Sequence, residues 1–243
     1  MRVMITFSYD GTNFHGFERQ VGYRTIQEEI ENVLRYINND SSTTIVASGR
    51  TDKGVHAKNQ TCHVDINVSI TEYKLKRAMN SLLPNDIHVI SAKVVDNSFH
   101  ARYMVKEKIY EYKLNMGEYN PIDRNLIYQF NKKLDINKMK DAIKYFIGVH
   151  DFKAFTPNKD KRDNYVREIY DANISLEKGI VTFTFRGNGF IKYQIRNMIG
   201  LLIEIGLGRK EVKSVLEILD SKNRSNHFKT AHPEGLYLVK VVY

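Results

Sequence analysis

The stretch VASGRTDKGVHA, Val46 to Ala57, sets one carboxylate two residues from one guanidinium, with glycine at Gly49 and Gly54, directly after an apolar run that reads as a strand. A strand running into a glycine-flanked loop projects side chains while the backbone turns tightly. The projected groups here are Asp52 and Arg50. A nearby guanidinium favours the ionised form of a carboxylate, so Asp52 suits attack or proton abstraction better than acid donation. A structural Asx turn or salt bridge is the bland alternative. Two other chemistries fail on spacing. Ser48, His56 and Asp52 do not read as a hydrolase triad, because Ser48 precedes the glycine instead of standing in a G-x-S-x-G elbow. The eight histidines form no H-x-x-x-H pair, and no Asp/Glu cluster offers a metal cage.

Three further features bear on chemistry. Arg196 lies inside the apolar run QIRNMIGLLIEIG, where a buried guanidinium requires an anionic partner, for which Asp52 is the candidate; an arginine snorkelling from the helix start is the bland alternative. In KEKIYEYKL the alternation puts Tyr110 and Tyr112 on one face with Lys106 and Lys108, an arrangement fit for stacking a base beside a phosphate or for two core tyrosines. RGNGFIKY, Arg186 to Tyr193, is close to the RNP1 signature of RNA-recognition motifs, but Asn188 replaces an aromatic and a helix pattern follows at once, so the match reads as coincidence.

The elements that position these groups follow from periodicity. Val3, Ile5, Phe7 and Tyr9 alternate as a strand. Thr25 and Glu28 form a capping-box pattern ahead of a helix with Ile26, Ile30, Val33, Leu34 and Ile37 inward. TTIVAS and QTCHVDINV read as strands on either side of the Asp52 loop, with Cys62 as a core residue in a reducing compartment. A helix from about Thr71 turns Leu75, Ala78, Met79 and Leu82 inward, before the strand IHVISAKVV. From Val105 the order recurs: a strand, a helix burying Ile136, Met139, Ile143, Phe146 and Ile147, two strands joined at Lys178-Gly179, the apolar helix, a shorter helix and the strand GLYLVKVVY. The expected fold class is α/β (α+β): two similar ferredoxin-like split βαβ halves with mostly antiparallel sheets and a central basic active-site cleft. SFHARYM has no clear periodicity and marks the boundary, giving residues 1–100 as the half with the Asp loop and 101–243 as the half with the tyrosine strand and the arginine-bearing helix.

With 37 Lys+Arg against 28 Asp+Glu, the net charge is +9, which favours a polyanionic partner, nucleic acid first. The N-terminus alternates like a strand and lacks a signal peptide's apolar core, and no run approaches the roughly 18 apolar residues of a spanning helix. The chain reads as cytoplasmic, with no membrane partner.

These pieces, taken together, resemble the tRNA pseudouridine synthase A family: YDGTNFHGF, RTIQEEIE, GRTDKGVHAKNQ, FHAR, KIYEYKL, HDFKAF, VREI, FIKYQIRNMIG and TAHPEGLYLVKVVY run from end to end. The resemblance implies two α/β halves, a homodimer that grips tRNA and not DNA, and isomerisation of uridine to pseudouridine in the anticodon stem-loop with neither metal nor cofactor. It implies Asp52 as the catalytic residue, Arg50 as the group that helps extrude the base, Tyr110 packed on the flipped uracil, and Arg196 paired with Asp52. Phe17 and Glu18 stand where the family usually has Trp and Gln, and His232 where it usually has Pro. The rivals are a related enzyme acting on ribosomal RNA or other tRNA positions, and a non-catalytic RNA-binding protein, which would leave Asp52 and Arg196 unexplained.

Overall fold

The computed structural model of the protein describes residues 1–157, 161, 163–224 and 228–243. The chain forms two compact units, Met1–Lys106 with Tyr237–Tyr243, and Glu107–Leu236. The division expected after residue 100 is displaced, because residues 101–106 and the C-terminal strand belong with the first unit. In chain order the elements begin with β1 (Arg2–Tyr9), α1 (Ile26–Asn38), β2 (Val46–Ala47), β3 (His56–Asp65), α2 (Glu72–Leu82) and β4 (Ile87–Val94). There follow β5 (Glu107–Asn115), β6 (Tyr128–Gln129), α3 (Ile136–Ile143), β7 (Gly148–Asp151), β8 (Val166–Glu177) and β9 (Ile180–Gly187). The helices α4 (Gln194–Gly206) and α5 (Ser214–Ser221) lead to β10 (Leu236–Val242).

In the first unit the strand order is β4-β1-β3-β10. β1 is antiparallel to both neighbours, and its Val3, Ile5, Phe7 and Tyr9 are all buried, as their period of two demands. β10 instead runs parallel to β3, with Tyr237 opposite His56 and Leu238 opposite Ala57. Its alternation is legible in the sequence, but the identity of its neighbour is not, since side-chain period is the same whichever strand it joins. α1 buries Ile26, Ile30 and Leu34, and α2 buries Leu75 and Met79. Leu82, expected inward, is 46% exposed, and Leu83 is buried in its place. The helix stops at Leu82, and the extended geometry of Leu83 redirects the next side chain.

Glu31 of α1 is a fully buried carboxylate. It accepts from the Ile45 N–H at 3.1 Å and from Gln27 Nε2 at 2.9 Å, and pairs with Arg35 at 3.2 Å and with Arg19. Removing one side of such a buried pair strands the rest, although the partly exposed arginines can rehydrate. Glu31→Leu should therefore lower the unfolding free energy by about 3 kcal/mol, and Glu31→Gln, which keeps an acceptor for Ile45, by less. Urea unfolding of both variants checks the ranking; equal losses would contradict this account.

The second unit's sheet has the order β5-β9-β8-β7, with β6 beside β5. β8 and β9 are joined through Lys178 and Gly179, at φ 49° and 82°, the two positive values that a tight two-residue hairpin matching the usual right-handed strand twist requires. α4 is buried around almost its whole circumference. α3 ends at Ile143 and tightens into a 3-10 turn at Lys144–Phe146, which carries Phe146 inward and leaves Ile147 39% exposed, contrary to the expected inward position.

Candidate active site

The Asp52 loop joins β2 to β3 and is fixed at its base by Gln60, which has no exposed surface. Ser48 Oγ donates to Gln60 Oε1 at 2.6 Å, and Gln60 Nε2 donates to the Gly49 carbonyl at 3.1 Å. One residue before Asp52, Thr51 Oγ1 lies 2.7 Å from the buried Tyr9 hydroxyl. Burial holds the Tyr9 phenol well above its usual titration range, so it acts here as a neutral hydroxyl. After Asp52 the chain turns at once, with the Val55 N–H donating to the Asp52 carbonyl at 3.1 Å and Gly54 at φ 77°.

The stretch Tyr9 to Phe17 is the other half of this construction. A Cβ on Gly11 would sit 2.1 Å from the Val55 carbonyl oxygen, and one on Gly16, at φ 96°, would sit 3.1 Å from that of Thr51. Only glycine lets these two backbones lie in contact on both sides of Asp52. The Phe17 N–H donates to the Thr51 carbonyl at 3.1 Å. The same segment caps α1: the Ile26 and Gln27 N–H groups donate to the Gly16 and Phe17 carbonyls at 3.3 and 2.9 Å. The expected Thr25–Glu28 capping box is not formed. Thr25 occupies the cap position without a side-chain cap bond, and the loop carbonyls satisfy the first two helical N–H groups. Asp52 itself is half-buried. Its position follows from two glycines that the spacing around Asp52 did not single out; their signal was the aromatic-flanked YDGTNFHGF.

Arg50 is paired with Glu18. Its guanidinium lies 2.8 Å from Glu18 Oε1, with the two side chains 61% and 49% exposed. An exposed pair of this kind contributes about 0–1 kcal/mol, so a phosphate can displace Glu18 readily. Glu18 was visible beforehand only as a departure from the family pattern. Phe17, the neighbouring departure, is buried against Phe7 and Tyr9 at 6.4 and 6.5 Å between ring centroids, where it packs the core. His56 is buried, accepts the Gly11 N–H on Nδ1 at 3.0 Å and stacks on Tyr237. Cys62 has no exposed surface, and burial pushes its thiol far up.

In the second unit Tyr110, Tyr112 and Leu114 share the buried face of β5. Tyr112 is a core residue: it has no exposed surface, its hydroxyl donates to the His232 carbonyl at 3.0 Å, and burial raises its pKa strongly. Tyr110 lies nearer the rim, 8% exposed, with its ring edge-on to Phe190 at 5.2 Å. Phe190 belongs to the turn between β9 and α4, so RGNGFIKY spans a strand end, a turn and a helix start instead of one central strand. The turn closes at Tyr193, a non-glycine residue at φ 60°, whose ring carries the Arg196 guanidinium at 5.0 Å and Lys192 Nζ at 5.4 Å. Arg196 Nε donates to the Ala231 carbonyl at 2.8 Å, and the Ala231 N–H returns a bond to the Arg196 carbonyl at 3.0 Å. Tyr110 and Arg196 thus flank one short turn. His232 stacks flat on Tyr128, at 4.6 Å and 8°. Among the described residues, no group of three or more His, Cys, Asp or Glu side chains is disposed to hold a metal ion, and no helix is long and apolar enough to cross a membrane.

Comparison with known proteins agrees with this arrangement of motifs. The family model described as tRNA pseudouridine synthase matches residues 5–104 and 142–243. The tRNA pseudouridine synthase A of Geobacillus sp. (strain WCH70) is 39% identical over 243 residues, covering 100% of this chain and 98% of that protein. Its counterpart in Streptococcus pneumoniae is 42% identical over 245 residues, with the same coverages of 100% and 98%. That of Limosilactobacillus reuteri is 40% identical over 247 residues, covering 100% and 96%. A solved Cbf5-Nop10-Gar1 complex aligns with 84% of this chain and 54% of its own at TM-score 0.35 and 15% identity, too remote a likeness to bear on the fold. With the family model matched across both units and relatives at about 40% identity over the whole length, the chain belongs to the tRNA pseudouridine synthase family.

Proposed function

We propose that this enzyme isomerises uridine to pseudouridine in the anticodon stem-loop of tRNA, with Asp52 as its catalytic carboxylate. The observation that carries the reading is the clamp of Gly11 and Gly16 against the backbone around Asp52, which fixes one half-buried acid in the loop between β2 and β3. The reaction breaks the bond between uracil N1 and ribose C1′, turns the base and forms a bond from C5 to C1′; the C5 hydrogen leaves as a proton and N1 regains one, so nothing is oxidised or reduced. An ionised aspartate serves this reaction by attacking C1′ or by removing a ribose proton. Arg50, engaged in an exposed ion pair, holds the extruded nucleotide once a phosphate replaces Glu18. Tyr110 packs on the uracil. Arg196, oriented through Nε, supplies the positive charge that keeps Asp52 ionised. By the same family likeness the enzyme works in the cytoplasm as a homodimer.

Because C5 exchanges its hydrogen for carbon, tRNA transcripts made with 5-tritiated uridine should release tritium to water on incubation with the protein, and carbodiimide mapping should place the new base in the anticodon stem-loop. Release from ribosomal RNA but not from tRNA would overturn the substrate assignment.

A further inference from the structure

The FHAR stretch takes no part in the site above, yet the turn that follows β4 is tied down by several hydrogen bonds. Ala101 is fully buried; its N–H donates to His63 Nδ1 at 3.1 Å and its carbonyl accepts from the Tyr243 hydroxyl at 2.8 Å. His100 Nδ1 accepts the N–H groups of both Arg102 and Tyr103 at 3.2 Å, and the Met104 N–H closes on the His100 carbonyl at 3.0 Å. A backbone N–H can only donate, so both imidazoles present a lone pair at Nδ1. For His63, burial lowers the pKa, which is consistent with a neutral ring. On this base the Tyr103 ring lies face to face with His100, at 4.2 Å and 21°, while His100 packs edge-on against His63 at 5.0 Å. Tyr103 is nonetheless 78% exposed, so its other face is open. Arg102 and Lys106 are exposed on either side of it in the chain.

We propose that Tyr103 is a stacking platform for an unpaired RNA base, with Arg102 placed for the neighbouring phosphate. The proposal rests on the RNA-substrate reading and adds a contact outside the Asp52 loop. Every base has a π-face, so an aromatic ring held ready on a rigid turn gains a stack without first ordering a loop. The cationic flanks and the net charge of +9 favour a polyanion over an apolar protein surface as the occupant.

The chain contains no tryptophan, so Tyr103→Trp introduces a single indole at the site. Its emission should be quenched when unmodified tRNA is added, whereas stacking on a protein partner would leave it unaffected by RNA. Tyr103→Ala should raise the Kd for tRNA about 5- to 100-fold with an unchanged salt dependence, and Tyr103→Phe should restore binding to within about twofold of wild type. Because the side chain points outward, the substitutions should leave folding intact, and thermal unfolding of each variant checks this. An unquenched tryptophan, wild-type affinity in Tyr103→Ala, or a change in oligomeric state in place of a change in tRNA affinity would each overturn the platform. Tritium release by the wild type is measured on the same tRNA. Failure of the enzymatic reading then shows in the wild type, and failure of the platform shows only in the variants.

Discussion

Replacing Asp52 by alanine or asparagine is expected to lower single-turnover pseudouridine formation in tRNA by about 10³-fold or more, the scale of losing a positioned acid–base or nucleophilic group. Affinity for tRNA should not fall, because the substitution removes a negative charge from a protein of net charge +9. Folding should be nearly intact. The bonds that shape the loop come from the backbone and from neighbours: the Val55 N–H on the Asp52 carbonyl, Phe17 on Thr51, and Ser48 on Gln60. Gel-shift affinity, circular dichroism and rapid-quench rates on one tRNA transcript separate these quantities. If Asp52→Ala turned over within tenfold of wild type, the carboxylate would have no part in the chemistry.

Arg196 carries the second large effect. Lysine keeps the charge but has no Nε–H for the Ala231 carbonyl and no planar group to lie over Tyr193, so Arg196→Lys should slow turnover about 10-fold or more through lost orientation. Arg196→Met keeps an unbranched apolar stem without charge and should slow it about 10²–10³-fold, as removal of a preorganised electrostatic partner does. The sign of the accompanying pH effect follows from the proposed role. A guanidinium favours the carboxylate over the protonated acid, so without it Asp52 holds a proton more readily, and the acidic limb of the rate profile should move to higher pH. A phosphate-contacting Arg196 would show the opposite pattern: weaker tRNA binding, a shallower salt dependence and an unmoved pH profile. Single-turnover rate against pH and Kd against salt, on wild type and both variants, decide between the two.

Much of this was written in local pattern. The alternation of Val3, Ile5, Phe7 and Tyr9 specifies a strand with one buried face whatever it pairs with, and all four are buried. Lys178-Gly179 specifies a tight hairpin because both positions need positive φ. The Asp52 loop, with Gly54 turning the chain just after the acid, was legible for the same reason: turn chemistry and side-chain period act over a few residues.

What the tertiary structure decided lies in pairings between distant segments. Gly11 and Gly16 are ordinary turn glycines until the Val55 and Thr51 carbonyls are brought to where a Cβ would stand. Thr25 and Glu28 satisfy a capping pattern, yet the Thr25 side chain makes no cap bond, and the first two helical N–H groups, of Ile26 and Gln27, are served by the Gly16 and Phe17 carbonyls that the loop brings up. Arg50 stands two residues from Asp52 but pairs with Glu18, and the tail strand joined β3 in the first unit. Composition and spacing constrain which side chains share a face and where the backbone can turn. They carry no term for which distant carbonyl, carboxylate or strand edge arrives at a given position, because that depends on how the whole chain packs.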